Sequence, residues 1–123
     1  MDLFILCLAL NIYFEARNEP PEGQMAVAEV TLRRAATSGK SVCNEVFTDV
    51  QFSWTAKADQ LQVTNKRAWE SSQYAAKVAF FRNTNHSLGA THFHADYVRP
   101  KWAKSLCHTI TIGRHIFYKE CNK

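Results

Sequence analysis

Apolar residues recur at helical spacing in three long stretches of the chain. In Leu3–Arg17 they repeat every three or four residues, as on one face of a helix. Pro20 ends this stretch, and Pro21 is well suited to begin a second one that continues to about Ala36. A third stretch, Asn65–Arg82, has the same period. The pattern therefore predicts three long helices.

The last third of the chain has a different pattern, in which short alternating segments replace the helical spacing. Ala90–His94 is predicted to form a strand. Thr109–Ile112 and His115–Tyr118 alternate on either side of Gly113 and Arg114, which is typical of a hairpin with a type II′ turn. The other predicted pieces are a short helix at Ser41–Phe47, an extended piece at Gln51–Thr55 and a helical turn at Pro100–Leu106. The fold class is therefore α+β: helices first, then a small antiparallel sheet in the C-terminal third.

Length and composition indicate one folded domain, residues 1–123. The chain has 123 residues, of which 46% are hydrophobic and 21% charged, which excludes intrinsic disorder. The net charge of +4 favours an anionic partner. The basic residues are scattered, and only Arg33-Arg34 and Lys66-Arg67 are adjacent. A dedicated nucleic-acid-binding protein usually has a denser basic stripe, so we expect no nucleic-acid partner.

The N-terminal apolar run, Leu3–Leu10, is interpreted as the start of a buried helix. It is shorter than the roughly 20 residues that span a membrane. Asp2 precedes it where a secretory signal has positive charge. We therefore expect no stable membrane insertion. The chain is expected either to be made in the cytosol and released by another route, such as phage-type lysis, or to be a domain of a longer exported protein.

The cysteines, Cys7, Cys43, Cys107 and Cys121, lack the C-x-x-C spacing of zinc ribbons and thioredoxin-type sites. Cys107 and Cys121 flank the predicted hairpin and are the best candidates for a disulfide. Cys7 lies on the apolar face of the first helix, and we predict that it is a buried free thiol.

Two glutamates lie beside the apolar faces of predicted helices. Glu15 is on the flank of the apolar stripe of the first helix. The spacing alone favours a residue with its carboxyl in water; the alternative is a partly desolvated carboxyl with a raised pKa, suited to general acid catalysis. Glu29 lies between Ala28 and Leu32 on the inward side of the second helix. It is interpreted as the partner of a buried arginine or as a second carboxylate of a site.

Histidines and loop aromatics are further candidates for a site. His92 and His94 alternate on a predicted strand and therefore face the same side. Such a pair can bind a metal, but no third ligand follows at a fixed spacing, so we expect a polar groove with no metal and no cofactor. Phe52 and Trp54 share one face of the extended piece, and Tyr97 lies in a polar segment. These rings either stack on sugars or bases, or pack in the core.

Six segments of the chain form a series of motifs in a characteristic order: Leu8–Arg17, Glu19–Ala28, Ser41–Cys43, Gln51–Thr55, Ala90–Ala103 and Ile112–Tyr118. The first of them contains a Glu-Ala-Arg sequence, Glu15–Arg17. In this order the motifs resemble the SleB/CwlJ-type cell-wall hydrolase domain, which occurs in spore cortex-lytic enzymes and in phages. The resemblance covers about Leu8 to Lys119.

The resemblance implies a lysozyme-like helical fold with a small sheet, and cleavage of peptidoglycan between N-acetylmuramic acid and N-acetylglucosamine. The family's catalytic residue is the glutamate of its Glu-Ala-Arg motif. By position this is Glu15, which reverses the interpretation favoured by spacing alone. The expected activity is that of a lytic transglycosylase, which needs one carboxylate and leaves 1,6-anhydro-muramic acid ends. The residues expected to bind the substrate are Phe52, Ser53, Trp54, His92, His94 and Tyr97.

Two other functions remain open at this stage. One is a hydrolysing muramidase with Glu29 or Asp96 as a second carboxylate. The other, of a different class, is a small basic nucleic-acid-binding module that uses exposed aromatic rings. The first interpretation predicts a monomer that acts on the bacterial cell wall, with peptidoglycan as its partner.

Overall fold

A computed structural model describes residues 2–48 and 62–122 of the chain. Within these residues the fold is α+β, as predicted, with the helices preceding a three-stranded sheet. The helices are α1 (Leu3–Ala16), α2 (Pro21–Ser38), α3 (Val42–Thr48) and α4 (Lys66–Phe81), and a 3-10 helix spans Lys101–Ser105. The strands are β1 (His92–Ala95), β2 (Cys107–Ile112) and β3 (His115–Lys119). Within the described residues the predicted helices and strands are confirmed, with ends that differ by one or two residues. The predicted extended piece, Gln51–Thr55, lies outside the described residues.

The ends of the long helices follow from local chemistry. Pro21 occupies the first turn of α2, where its missing N–H is not needed. Gly39 ends α2 in the left-handed region, with φ of 73°, and its N–H donates to the carbonyl of Ala35. Asn65 caps α4, because its side-chain oxygen accepts a hydrogen bond from the N–H of Ala68 at 3.0 Å.

Helix α1 is the central element of the helical part. It packs against α2, α3 and α4, and it is apolar on most of its surface. Leu8 and Ile12 have no exposed surface, and they join the alanine-rich inner faces of α2 and α4 in one core. Phe117 of β3 extends this core to the sheet. Within the described residues, no helix is both long and apolar enough to cross a membrane.

The sheet is antiparallel, with β3 between β1 and β2. Between β2 and β3 only the first turn residue, Gly113, has positive φ, at 56°, as a type II′ turn requires. On the other edge of β3, His92 pairs with Tyr118 and His94 with Ile116. β1 is one of the two edge strands of the sheet, and it contacts α2.

Two disulfides cross-link the chain, and one of them corrects the sequence-based prediction. Cys107 and Cys121 are bonded, as expected. Cys7 was predicted to be a free thiol, but it is bonded to Cys43. The prediction was wrong because it considered α1 alone. The bond depends on the packing of α1 against α3, 36 residues away along the chain, which brings the two Cα atoms to 5.2 Å.

Loss of the bond between α1 and α3 is expected to destabilise the fold. Replacing both Cys7 and Cys43 with alanine should lower the free energy of unfolding by about 3–4 kcal/mol, because the unfolded chain regains the freedom of a long loop. Urea unfolding monitored by circular dichroism measures this loss, and peptide mapping without reductant identifies the bond. Free thiols at both cysteines in the oxidised protein would contradict the assignment.

Candidate active site

A cavity of about 570 Å³ lies between the helices and β1, and Glu15 is on its wall. Its volume is within the range of roughly 300–1,000 Å³ that is common for sites of small ligands. The lining is mixed, with aromatic, imidazole, guanidinium and carboxyl groups. The described residues that line it are Phe14, Glu15, Val30, Arg34, Thr91, His92, Phe93, His94, Ala95, Tyr97, Val98, Pro100, Trp102 and His115.

The Glu15 carboxyl is partly removed from water. Glu15 lies in the last turn of α1, between the half-buried Phe14 and the buried Ala16. Burial raises the pKa of Glu15 from its ordinary value of 4.5 to about 7. Within the described part of the chain, Glu15 has neither an ion-pair partner nor a hydrogen-bond donor that would lower its pKa again. The group is therefore protonated at or slightly below neutral pH, as a general acid must be.

His92 and His94 of β1 line the same cavity and face the same side of the strand, as predicted. Both rings pack on Trp102, with centroid distances of 5.0 and 5.7 Å. Nε2 of His94 is 3.0 Å from the hydroxyl of Tyr118, and Nδ1 is 2.7 Å from the carbonyl of Ala95. His94 is therefore held between a hydroxyl and a backbone carbonyl.

Tyr97 lies at the mouth of the cavity, and 81% of its surface is exposed. A ring this exposed contributes little to the core, so it is available to a ligand. The neighbouring Asp96 is instead ion-paired with Arg114 at 3.0 Å and is not among the lining residues.

Glu29 is not on the cavity wall. It is buried, with 3% of its side chain exposed. Its carboxylate accepts hydrogen bonds from the Thr84 hydroxyl, the His86 N–H and both the N–H and hydroxyl of Ser87. Arg33, one turn later on α2, lies 4.0 Å away. The arrangement agrees with the interpretation of Glu29 as a paired carboxylate, and it places this group in the loop that leads to β1.

Phe52, Ser53 and Trp54 lie outside the described residues, so their binding role stays a prediction. The remaining described residues contain no group of three or more His, Cys, Asp or Glu side chains that could hold a metal ion. Among the described residues that line the cavity, Glu15 is the one with a carboxylate side chain. The other lining residues include histidines and aromatic residues.

Two ionisable residues of the described lining, Arg34 and His115, were not identified as candidates by the sequence analysis. Arg34 is on α2, where its guanidinium lies 3.4 Å from the buried carboxylate of Glu45 and donates to the carbonyl of Thr91. It also lines a smaller adjoining pocket of about 250 Å³. His115 begins β3 and is buried. The sequence analysis considered the basic pair Arg33-Arg34 only in judging whether the chain has a basic stripe, and His115 lay within a matching motif without a role.

Comparisons with known proteins identify the family and similar folds. A family model described as Cell Wall Hydrolase matches residues 18–118. The fold is similar to that of the catalytic domain of the germination-specific lytic transglycosylase SleB from Bacillus anthracis, with 27% identity, a TM-score of 0.74 and coverage of 94% of this chain and 93% of the other. It is also similar to the catalytic domain of the Bacillus cereus SleB protein, with 26% identity, a TM-score of 0.73 and coverage of 94% and 89%. No curated protein sequence matches significantly. The expected fold is confirmed.

The raised pKa of Glu15 should make protein stability depend on pH. The folded protein keeps this proton up to about pH 7, whereas the unfolded chain loses it near 4.5, so stability falls as the pH rises between these values. Glu15→Gln removes the cost of ionising the carboxyl. The variant should be more stable than the wild type by about 2–3 kcal/mol near pH 8 and equally stable near pH 4. Urea unfolding at both pH values, with the exposed Glu22→Gln as control, measures the effect. An equal difference at both values would contradict it.

Proposed function

The chain belongs to the cell wall hydrolase family, and we propose that it is a peptidoglycan lytic transglycosylase that cleaves the β-1,4 bond between N-acetylmuramic acid and N-acetylglucosamine. The observation that carries the proposal is the partly buried Glu15 carboxyl, alone among carboxylates in the described lining of a sugar-sized cavity. The similarity to SleB catalytic domains supports the same activity.

In the first step, Glu15 is the general acid. Its carboxyl donates a proton to the glycosidic oxygen while the bond from C1 of the muramic acid to that oxygen breaks. The N-acetylglucosamine leaves as an alcohol, and positive charge develops at C1. The resulting Glu15 carboxylate stabilises this charge, the more effectively because the cavity wall keeps part of the water away.

In the second step, the same carboxylate is the base. It takes the proton from the 6-hydroxyl of the muramic acid as O6 bonds to C1, which closes the 1,6-anhydro ring and returns Glu15 to its protonated form. The nucleophile belongs to the substrate, so no second carboxylate is needed to activate a water molecule. A hydrolysing muramidase would need such a group. Glu29 and Asp96 are its candidates from sequence, and neither lines the cavity.

We assign substrate binding to the six residues expected from the sequence, most of which are aromatic or imidazole groups. His92, His94 and Tyr97 lie on its wall or mouth. Phe52, Ser53 and Trp54 are assigned by the resemblance and by the shared face of the two rings. Rings of this kind stack on the apolar faces of sugars, and the net charge of +4 suits an acidic glycopeptide polymer.

The disulfides favour action outside a reducing cytosol. Such bonds persist in oxidising environments, which include bacterial surfaces, and the chain has two of them. We therefore propose that the enzyme acts on the bacterial cell wall. We also propose that it is a monomer and, since the substrate's own hydroxyl is the nucleophile, that it requires no cofactor.

Replacing the Glu15 carboxyl should abolish cleavage of the wall. Glu15→Gln keeps the size of the side chain but cannot donate and recover a proton, so the rate on purified sacculi should fall by about a hundredfold or more. Release of soluble fragments measures the rate, circular dichroism checks the fold, and Glu22→Gln is the matched control. A folded Glu15→Gln variant that keeps more than about a tenth of the wild-type rate would refute the general-acid role.

Trp54 is expected to bind glycan rather than stabilise the fold. Trp54→Ala should weaken binding to sacculi by about 1–2 kcal/mol, as for loss of a stacking contact, with little change in melting temperature. Tyr97→Ala, at an exposed cavity residue, is the comparison and should behave alike. A sacculus pull-down and a thermal melt separate the two roles. A stability loss of roughly 3–5 kcal/mol with unchanged binding would assign Trp54 to the core.

A further inference from the structure

His115 is a second titratable group in the cavity, and the proposed mechanism does not use it. It begins β3, is buried, and lies on the wall that also carries Glu15. Its ring packs edge-on against Phe93, with centroids 5.2 Å apart. Nδ1 has no accessible surface and no hydrogen-bond partner among the described residues. The small exposed surface of His115 therefore belongs to its other atoms, of which Nε2 is the polar one on the ring.

The group behind Nδ1 is Glu19. One oxygen of its carboxylate, Oε1, lies 3.6 Å from Nδ1, and only 9% of the Glu19 side chain is exposed. The same oxygen accepts the N–H of Arg114 at 2.9 Å. Gly113 leaves room for it, because a Cβ at this position would overlap Oε1. Glu19, in the connection between α1 and α2, is thus held against the β2–β3 turn beside the His115 ring.

We propose that His115 binds the glycan in the cavity and that Glu19 is the positioning residue that fixes its ring and tautomer. A carboxylate near Nδ1 favours the tautomer with the proton on this nitrogen. Nε2 is then an acceptor, suited to a hydroxyl or an acetamido N–H of the sugar. The inference rests on the proposed function for its ligand class, an N-acetylated glycan strand.

Burial keeps the His115 ring neutral at neutral pH, and the charged groups around it modify this effect. Burial lowers the pKa of His115 below its usual value. The carboxylates of Glu19 and Asp96 oppose this shift, and His94 adds to it. Arg114, between these groups, is paired with Asp96. Glu15 faces the same cavity from α1. Loss of the Glu19 charge should therefore lower the pKa of His115 further.

Activity should accordingly fall on both sides of an optimum. Above about pH 7 Glu15 loses the proton that it must donate. At lower pH, the His115 ring gains a proton and Nε2 ceases to be an acceptor. In the pH–activity profile, the loss of activity at low pH (the acid limb) thus reflects protonation of His115, which its partners influence. The loss at high pH (the alkaline limb) reflects ionisation of Glu15.

The test changes each member of the pair and measures sacculus cleavage against pH. Glu19→Gln keeps an oxygen for the Arg114 N–H but removes the charge; it should move the acid limb to lower pH and leave the alkaline limb unchanged. His115→Gln should raise KM by about threefold to tenfold, as for loss of one hydrogen bond, and abolish the acid limb. The controls are the exposed Glu22→Gln and His108→Gln. An unmoved acid limb in Glu19→Gln, or an unchanged KM in His115→Gln, would overturn the proposal.

Nitrogen NMR of the histidine rings provides a second measurement that needs neither cleavage nor a Glu19 variant. In Glu15→Gln protein the proton of His115 should lie on Nδ1, and soluble glycan strands of N-acetylglucosamine and N-acetylmuramic acid should shift the Nε2 resonance. A proton on Nε2, or no shift on binding, would overturn the inference even if the wild type cleaves sacculi. A shift in Nε2 with an inactive wild type would instead refute the proposed function and leave the binding role of His115 standing.

Discussion

The partial burial of the Glu15 carboxyl is the constraint on which the proposed chemistry depends. A fully hydrated glutamate is ionised at neutral pH and has no proton to donate, whereas burial raises the pKa of Glu15 to about 7. A group that titrates there can release a proton to a leaving oxygen and accept one from a hydroxyl. The same burial disfavours the ionised form of Glu15, so this carboxyl lowers the stability of the folded protein above neutral pH, where it is ionised.

The sheet provides the opposite wall of the cavity, and buried polar contacts place it against the helices. Glu29 and Arg33 on α2 both bind the loop before β1: Arg33 donates to the Ser87 hydroxyl at 2.7 Å and to the Ala90 carbonyl at 2.8 Å. His92 and His94 follow this loop directly. At the other end of the sheet, Glu19 accepts the Arg114 N–H. Glu29 and Glu19 are therefore largely buried carboxylates that hold the sheet against the helices and do not line the cavity.

Local sequence patterns predicted the helices and strands. Contacts between residues that are distant in sequence were harder to predict, because they depend on how these elements pack. The spacing of apolar residues was enough to predict α1, and the position of Gly113 between two alternating segments was enough to predict the hairpin. Cys107 and Cys121 could be paired from sequence, whereas the bond of Cys7 depends on packing between helices. Spacing alone left Glu15 undecided, because its pKa depends on burial in the folded protein, and only the resemblance favoured catalysis. The cavity position of His115 required the tertiary structure.

The central claim is that one carboxylate serves both proton transfers and that the substrate's own hydroxyl is the nucleophile. Digestion of purified sacculi in heavy-oxygen water, followed by mass spectrometry of the fragments, tests this claim most directly. The account predicts 1,6-anhydro-muramic acid ends, lighter than hydrolytic products by one water molecule and free of the heavy label. Reducing muramic acid ends that carry heavy oxygen would show that water is the nucleophile, and they would contradict the account.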